Sequence, residues 1–384
     1  MDFELTDIQQ QIRDTARQFA RTKLLPRYQS QEQERRFDRD LLREQGELGL
    51  LCTPIPEQYG GGGQSYLTHG LIVEEIAWGD HNVAYNNLNC TLISDILVRN
   101  APDEVIREWV PRISAGELIC GLVLTEPDTG SDAARIKLRA RKDGGDYVLN
   151  GEKTSISMGS QSDVHVVFAR SNPDEPGAKG ISAFLVPGDS KGLSATDFND
   201  LGARSVGRGS LFFDDVRIPQ RYLIGGEGKG FSQVMVGFDM NRVYIGLMCL
   251  APAQASVEET WQYVQERKAF GSPIVRFEGV SFPLAEAETL LEAARQLCYK
   301  ALWLRDQNRP HTAEAAMCKW WAPVVAFDVI KDCLLLHGHA GYSDDFPHQQ
   351  RLRDVLGLQI GDGTAQIMKL IIAREKVGRI AVPY

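Results

Sequence analysis

The sequence predicts an α+β, multidomain chain in three parts: helices, then a small β domain, then helices again. Three observations carry this. Ile8, Ile12, Ala16, Phe19 and Ala20 recur three or four apart behind the N-cap candidates Thr6 and Asp7, which is helical spacing. From about residue 118 to 230 the pattern changes to short β-rich runs broken by Gly, Asp, Asn and Pro. After the glycine-rich loop at 225–230, long periodic stretches return.

Taken in order, the helical style of the first part runs to Glu117, with a loop demanded by Pro54, Pro56 and the four glycines at 60–63. This gives a first domain at 1–117. Strands are expected around 147–149, 164–169, 181–186 and 210–213, and Asp143-Gly144-Gly145 looks like a hairpin connection, so the β domain is 118–230. Stretches 231–267, 279–307, 312–339 and 364–377 then predict a helical bundle at 231–384. No internal repeat or low-complexity tract interrupts this order.

At 384 residues the chain exceeds the size of a single hydrophobic core and has room for a large cofactor cleft. The balance of 42 Lys and Arg against 51 Asp and Glu disfavours broad attraction to nucleic acid or anionic lipid. A phosphate-bearing ligand therefore needs local basic groups. The seven Cys, at 52, 90, 120, 249, 298, 318 and 333, form no CxxC pair, which fits neither a disulfide framework nor a zinc site. Reduced thiols in a cytoplasmic protein are expected. The first ten residues carry Asp2, Glu4 and Asp7 and no positive segment leading into an apolar run, so no export signal is expected. Apolar runs such as 333–336 fall short of the roughly 18 residues a membrane helix needs. A soluble protein is expected.

Read alone, Thr125-Glu126-Pro127-Asp128-Thr129-Gly130-Ser131-Asp132 is a polar turn after the apolar run 122–124. Its pattern Thr-Glu-Pro-x-x-Gly-Ser-Asp, however, resembles the first signature of the acyl-CoA dehydrogenase family. Tyr59-Gly60-Gly61, the segment 153–157, Phe238-Asp239-x-x-Arg242, Arg267-x-x-Phe270-Gly271 and Asp362-Gly363-Thr364-x-Gln366 follow in the family's order across essentially the whole chain. The resemblance implies that family's fold: an N-terminal helical domain, a middle β-barrel-like domain and a C-terminal four-helix bundle. It also implies FAD as cofactor, an acyl-CoA thioester as substrate, an electron-transferring flavoprotein as acceptor and a homotetramer.

Leu122, Leu124 and Thr125 match family positions lining the flavin ring, and Ile156 and Ser157 match the segment that hydrogen-bonds flavin N5. Arg267 and Phe270 match residues reaching the pyrophosphate and adenine of a neighbouring subunit's FAD, where a guanidinium forms charge-assisted bonds to phosphate. Thr364 and Gln366 match contacts to the adenosine part. Three positions depart from the pattern: Ser155 stands where Trp is usual, Leu335 where Gln is usual, and His339 where Gly lets the backbone approach the cofactor. His337 and His339 lack the carboxylate or Cys spacing of a metal site, so no metal is expected. The loop 226–230 lacks the strand-to-helix setting of a phosphate cradle and reads as a linker.

On the substrate side the resemblance places Ser131 near the pantetheine arm and Arg242 on the helix flanking the thioester. It makes Asp362 the base that takes the α-proton while a hydride leaves the β-carbon. The N–H of this residue and a ribityl hydroxyl polarise the thioester carbonyl. Most relatives carry Glu here. Asp withdraws the carboxylate by about 1.5 Å, and misplacement on the order of 1 Å costs about 100-fold. Gly361, where many relatives have Tyr, opens the same end, and Gly363 completes the turn. Together these predict an α-branched or alicyclic acyl group, cyclohexane-1-carbonyl-CoA first among them, as in the alicyclic acyl-CoA dehydrogenases. Short or branched-chain acyl groups are the nearest alternative.

Some relatives place the base on the helix of Arg242, but the position here is Asn241, which cannot serve; Asp239 and Asp95 are weaker candidates. Taken alone, Gly-Asp-Gly would be a solvated turn. Two competing readings remain. A flavin oxidase of the nitroalkane oxidase kind also uses Asp in this turn, and a DNA-binding flavoprotein of this fold is disfavoured by the acidic balance.

Overall fold

The computed structural model describes residues 4–382. Six helices lead: α1 (Asp7–Phe19), α2 (Tyr28–Glu34), α3 (Arg39–Glu47), α4 (Tyr66–Gly79), α5 (His81–Asn100) and α6 (Asp103–Ser114). Eight strands follow: β1 (Cys120–Val123), β2 (Arg139–Asp143), β3 (Asp146–Ser157), β4 (Val164–Arg170), β5 (Ile181–Pro187), β6 (Leu193–Asp197), β7 (Arg208–Pro219) and β8 (Leu223–Ile224). The rest is α7 (Gly230–Glu266), the ribbon β9 (Lys268–Ala269) and β10 (Ser272–Pro273), α8 (Glu278–Asp306), α9 (Thr312–Leu336), α10 (His339–Tyr342), α11 (His348–Leu356) and α12 (Ala365–Val377). The helix, strand, helix order matches the three-part expectation.

Local chemistry explains the element ends. Thr6 caps α1 in a capping box with Gln9, satisfying two otherwise orphaned N–H groups. The Asp143 to Asp146 pairing leaves Gly144-Gly145 as a two-residue hairpin turn, with Gly144 at φ 63°. The sheet runs β6-β7-β3-β2-β4-β5-β8, with β1 pairing parallel to β4. The long β3 and β7 ribbon shifts register between Lys153 and Ile156, where Ser155 takes φ 58°. That irregularity re-aims the strand end and sets Ser157 opposite Arg208.

α7 is apolar enough over eighteen residues to pass for a membrane span, yet most of that stretch is buried inside the molecule, against α4, α5, α8 and α9. The domains are tied by buried polar groups. Asp354 on α11 accepts from Tyr28 (2.7 Å), from Asn82 on α5 (3.2 Å) and from the Ala203 N–H of the β6 to β7 loop (2.6 Å). Arg351, fully buried, forks onto Glu259 of α7 at 2.7 and 2.8 Å. These ties hold the loop before β7, the start of α5 and α11, which precedes the Asp362 turn, in one fixed arrangement.

Candidate active site

Asp362 lies in the turn between α11 and α12. Its backbone is left-handed (φ 55°), and Gly363 follows at φ 96°, where a Cβ would come 2.6 Å from Met368 Cε. Thr364 closes the turn by accepting the Ile367 N–H at 3.3 Å, starting α12. The ammonium of Lys319, buried on α9, donates to the Gly363 carbonyl and anchors the turn to the bundle. The N–H of Asp362 donates to no backbone carbonyl among the described residues, which leaves a donor beside the carboxylate.

Three cations face this half-buried carboxylate. Burial pushes the Asp362 pKa up, opposed by Lys319, Arg208 and Arg242, with a net rise above the ordinary Asp value. Lys319 is itself pulled down to about 8 by burial, against the charge of Asp362. Arg242, on α7, is held at 2.8 Å by Asp239, whose other oxygen accepts from Thr312 at 2.7 Å. Asp239 is therefore committed to orienting Arg242. Asp95 is committed to Arg99 at 2.7 Å on the outer end of α5. Neither is free to serve as a base.

The hydroxyl of Ser157, at the end of β3, donates to Tyr85 of α5 at 3.1 Å, and the Arg208 guanidinium lies 5.8 Å from the centre of the Tyr85 ring. Burial and the charge of Asp362 raise the Tyr85 phenol, and Arg208 opposes them. So α5, β3, β7, α7, α9 and the 361–363 turn meet around one point. Leu122 is half-buried while Cys120 and Val123 beside it are buried, and Thr125, also half-buried, continues this partly apolar ledge. The ledge is built from below. Fully buried Lys153 donates to the Leu124 carbonyl (2.7 Å) and pairs with Glu126 (3.0 Å), which accepts from the N–H groups of Lys137 (2.6 Å) and Leu138 (2.8 Å).

Other expected positions lie apart from this point. Ser131 is exposed in its loop. Arg267 is exposed, its guanidinium without a partner among the described residues, and Phe270, at φ 52° in the β9 to β10 turn, is 96% exposed. Leu335 is 65% exposed, and His339 and Gln366 are exposed on the same domain. Among the described residues no group of three or more His, Cys, Asp or Glu could hold a metal ion; His337 instead stacks on Tyr263 at 4.2 Å.

Family models for the acyl-CoA dehydrogenase N-terminal, middle and C-terminal domains match residues 6–117, 121–216 and 228–377. The chain belongs to the acyl-CoA dehydrogenase family. It is 34% identical to a probable acyl-CoA dehydrogenase of Bacillus subtilis, covering 98% of this chain and 99% of that one. It is equally 34% identical to the mitochondrial short-chain specific acyl-CoA dehydrogenase of Rattus norvegicus, over 96% of this chain and 90% of that one. The butyryl-CoA dehydrogenase structure from Megasphaera elsdenii superposes with a TM-score of 0.95 at 30% identity, covering 98% of this chain and 100% of that one.

Acyl-CoA dehydrogenases are FAD-dependent, and the residues present suit that group. The ledge of Leu122, Leu124 and Thr125 offers apolar surface with hydroxyl and backbone groups, Ser157 presents a hydroxyl, and Arg267 offers an unpaired guanidinium. Leu335 and His339, which depart from the family pattern, are both exposed on the C-terminal domain. Sequence reasoning missed Tyr85, Arg208 and Lys319. Lys319 carried a findable signal: a lysine amid the apolar residues of α9, at a position that packing buries.

Proposed function

We propose that the protein removes hydrogen across the α,β-bond of a short α-branched or alicyclic acyl-CoA thioester, with Asp362 as the base; cyclohexane-1-carbonyl-CoA is the parent substrate. The observation that carries this is the Asp362 turn. A half-buried carboxylate of raised basicity stands beside an unused backbone N–H, and the neighbouring Gly361 adds no side chain where a Cβ would make ordinary contacts at 3.6 Å and beyond. The N–H polarises the thioester carbonyl, which acidifies the α-proton, and Asp362 accepts that proton. Arg242 and Lys319 hold positive charge beside the developing enolate. Bound FAD would supply the acceptor for the β-hydride, so that loss of the α-proton to Asp362 and of the β-hydride would leave the C=C bond. The Leu122 to Thr125 ledge and Ser157 would orient the ring, while Arg267 and Phe270 would reach the pyrophosphate and adenine of a neighbouring subunit's FAD and Thr364 and Gln366 would contact the adenosine part at that interface.

Acyl length is limited by the seam between α5 and α7, where a Cβ on Gly237 would lie 2.9 Å from Leu92. The exposed Phe270 and Leu335 support a homo-oligomer in which a second copy covers this end. An electron-transferring flavoprotein is the proposed acceptor, and seven free, buried thiols accord with a reducing cytoplasm. Steady-state rates with straight, branched and cyclic thioesters test the reading. It fails if butyryl-CoA or octanoyl-CoA far outruns the cyclic thioester, and fast reoxidation by oxygen alone would point to an oxidase.

A further inference from the structure

The acyl end of this site is polar where a hydrocarbon chain would call for aliphatic residues. Tyr85, Asn89, Leu92 and Ile96 fall on one stripe of α5, at helical spacing. Gly237 of α7 abuts Leu92 and Ile96, and Asn241 stands one turn further along α7 on the same seam. Asn89 and Asn241 thus lie between the Leu92 to Gly237 contact and the end of the two helices where Tyr85 and Arg242 face Asp362. Asn241 is 3% exposed, and its Oδ1 is fully enclosed with no hydrogen-bond partner. Asn89 is 6% exposed and its side chain makes no hydrogen bond among the described residues. Next to Tyr85, Arg208 donates to Asp200 at 3.2 Å and also interacts with the Tyr85 phenol.

An enclosed amide without a partner is costly, and an aliphatic acyl group packed against it would leave it so. Sites lined by such groups discriminate strongly against a ligand lacking the matching polar atom. Resting on the reading above, we infer that the acyl group carries a hydroxyl remote from the thioester, donating to Asn241 Oδ1 and accepting from the Asn89 amide or the Tyr85 phenol. The substrate class is a hydroxylated short alicyclic or branched acyl-CoA. Asn241 and Asn89 are its specificity-determining residues. The hydroxyl takes no part in bond making: one α-proton and one β-hydride leave as before.

The test uses the FAD-loaded full chain and paired thioesters, 4-hydroxycyclohexane-1-carbonyl-CoA (both isomers) against cyclohexane-1-carbonyl-CoA. Each pair is read as kcat/KM and as Kd by calorimetry. One satisfied buried hydrogen bond gives an expected preference of about 10- to 100-fold for one hydroxylated isomer. Asn241→Leu should collapse that ratio to near one, and Tyr85→Phe, which deletes a single oxygen without changing shape, should reduce it if Asn241→Leu fails to fold. Equal handling of the pair by the unaltered protein, or an unchanged ratio in the variants, overturns the inference while leaving the alicyclic reading standing. If straight chains outrun every cyclic thioester the alicyclic reading falls instead, and 4-hydroxybutyryl-CoA against butyryl-CoA then decides the hydroxyl question by the same ratio.

Discussion

Replacing Asp362 by Glu restores one methylene, and its effect can be worked from the turn. The carboxylate advances by about 1.5 Å from a backbone fixed by the left-handed angles at 362 and 363 and by Lys319. Because the turn is anchored, the added length must go into the acyl space instead of being absorbed by the backbone. Near-attack geometry loses about 100-fold per ångström of misplacement. With a branched or cyclic α-carbon the longer arm overshoots, whereas a slim α-methylene, lying deeper, comes into reach. The ratio of kcat/KM for butyryl-CoA over cyclohexane-1-carbonyl-CoA should therefore rise by about 10- to 100-fold in Asp362→Glu. The assay is dye-coupled steady-state turnover of both thioesters, with flavin content measured alongside. If both rates fell in parallel, or the cyclic thioester gained, the link between the shortened carboxylate and substrate width would be wrong.

Other perturbations follow from the same contacts. The raised Asp362 pKa means that kcat/KM should fall as pH drops through a value above the ordinary carboxylate range, a limb visible in the pH profile. Linkage gives the matching stability sign: a carboxyl whose folded pKa is raised binds protons on folding, so its contribution is lost as pH rises through that folded value. Asp362→Asn should accordingly match or exceed the parent Tm at neutral pH while losing activity. Lys319→Met removes the donor to the Gly363 carbonyl and one cation facing Asp362, so the acid limb should move upward and thermal unfolding should reveal a loss of about 1–3 kcal/mol. Lys153→Met leaves the buried Glu126 without its counter-charge and should cost about 3–5 kcal/mol in chemical denaturation, with weakened FAD retention because the Leu124 carbonyl loses its donor.

The three-part fold was legible because its long elements obey simple periods. The bundle helices expected at 231–267, 279–307 and 312–339 appear as Gly230–Glu266, Glu278–Asp306 and Thr312–Leu336. Two of the elements that were not foreseen show why. The β6 strand has a half-buried Leu193 followed by four exposed residues, so it lacks alternation, and α11 buries His348, Arg351 and Asp354, so its inward face is polar. Buried charge defeats a reading based on hydrophobic spacing. The site was legible where a local motif carried it, as with Asp362 and Ser157. It was not where partners are distant in sequence: Tyr85, Arg208, Lys319 and Asp362 come from four separate elements, and only the fold brings them together. Asn241 is unsuited to be a base because it is an amide, and its enclosed, unpartnered oxygen arises only once α7 is packed in the fold.

The central claim is that Asp362 takes the α-proton of an acyl-CoA thioester. Anaerobic mixing of the FAD-loaded protein with cyclohexane-1-carbonyl-CoA, followed by absorbance near the flavin maximum, addresses it most directly. Rapid bleaching in the parent protein and none in Asp362→Asn, with FAD and thioester still bound, is the predicted result; bleaching at the parent rate in Asp362→Asn would contradict it.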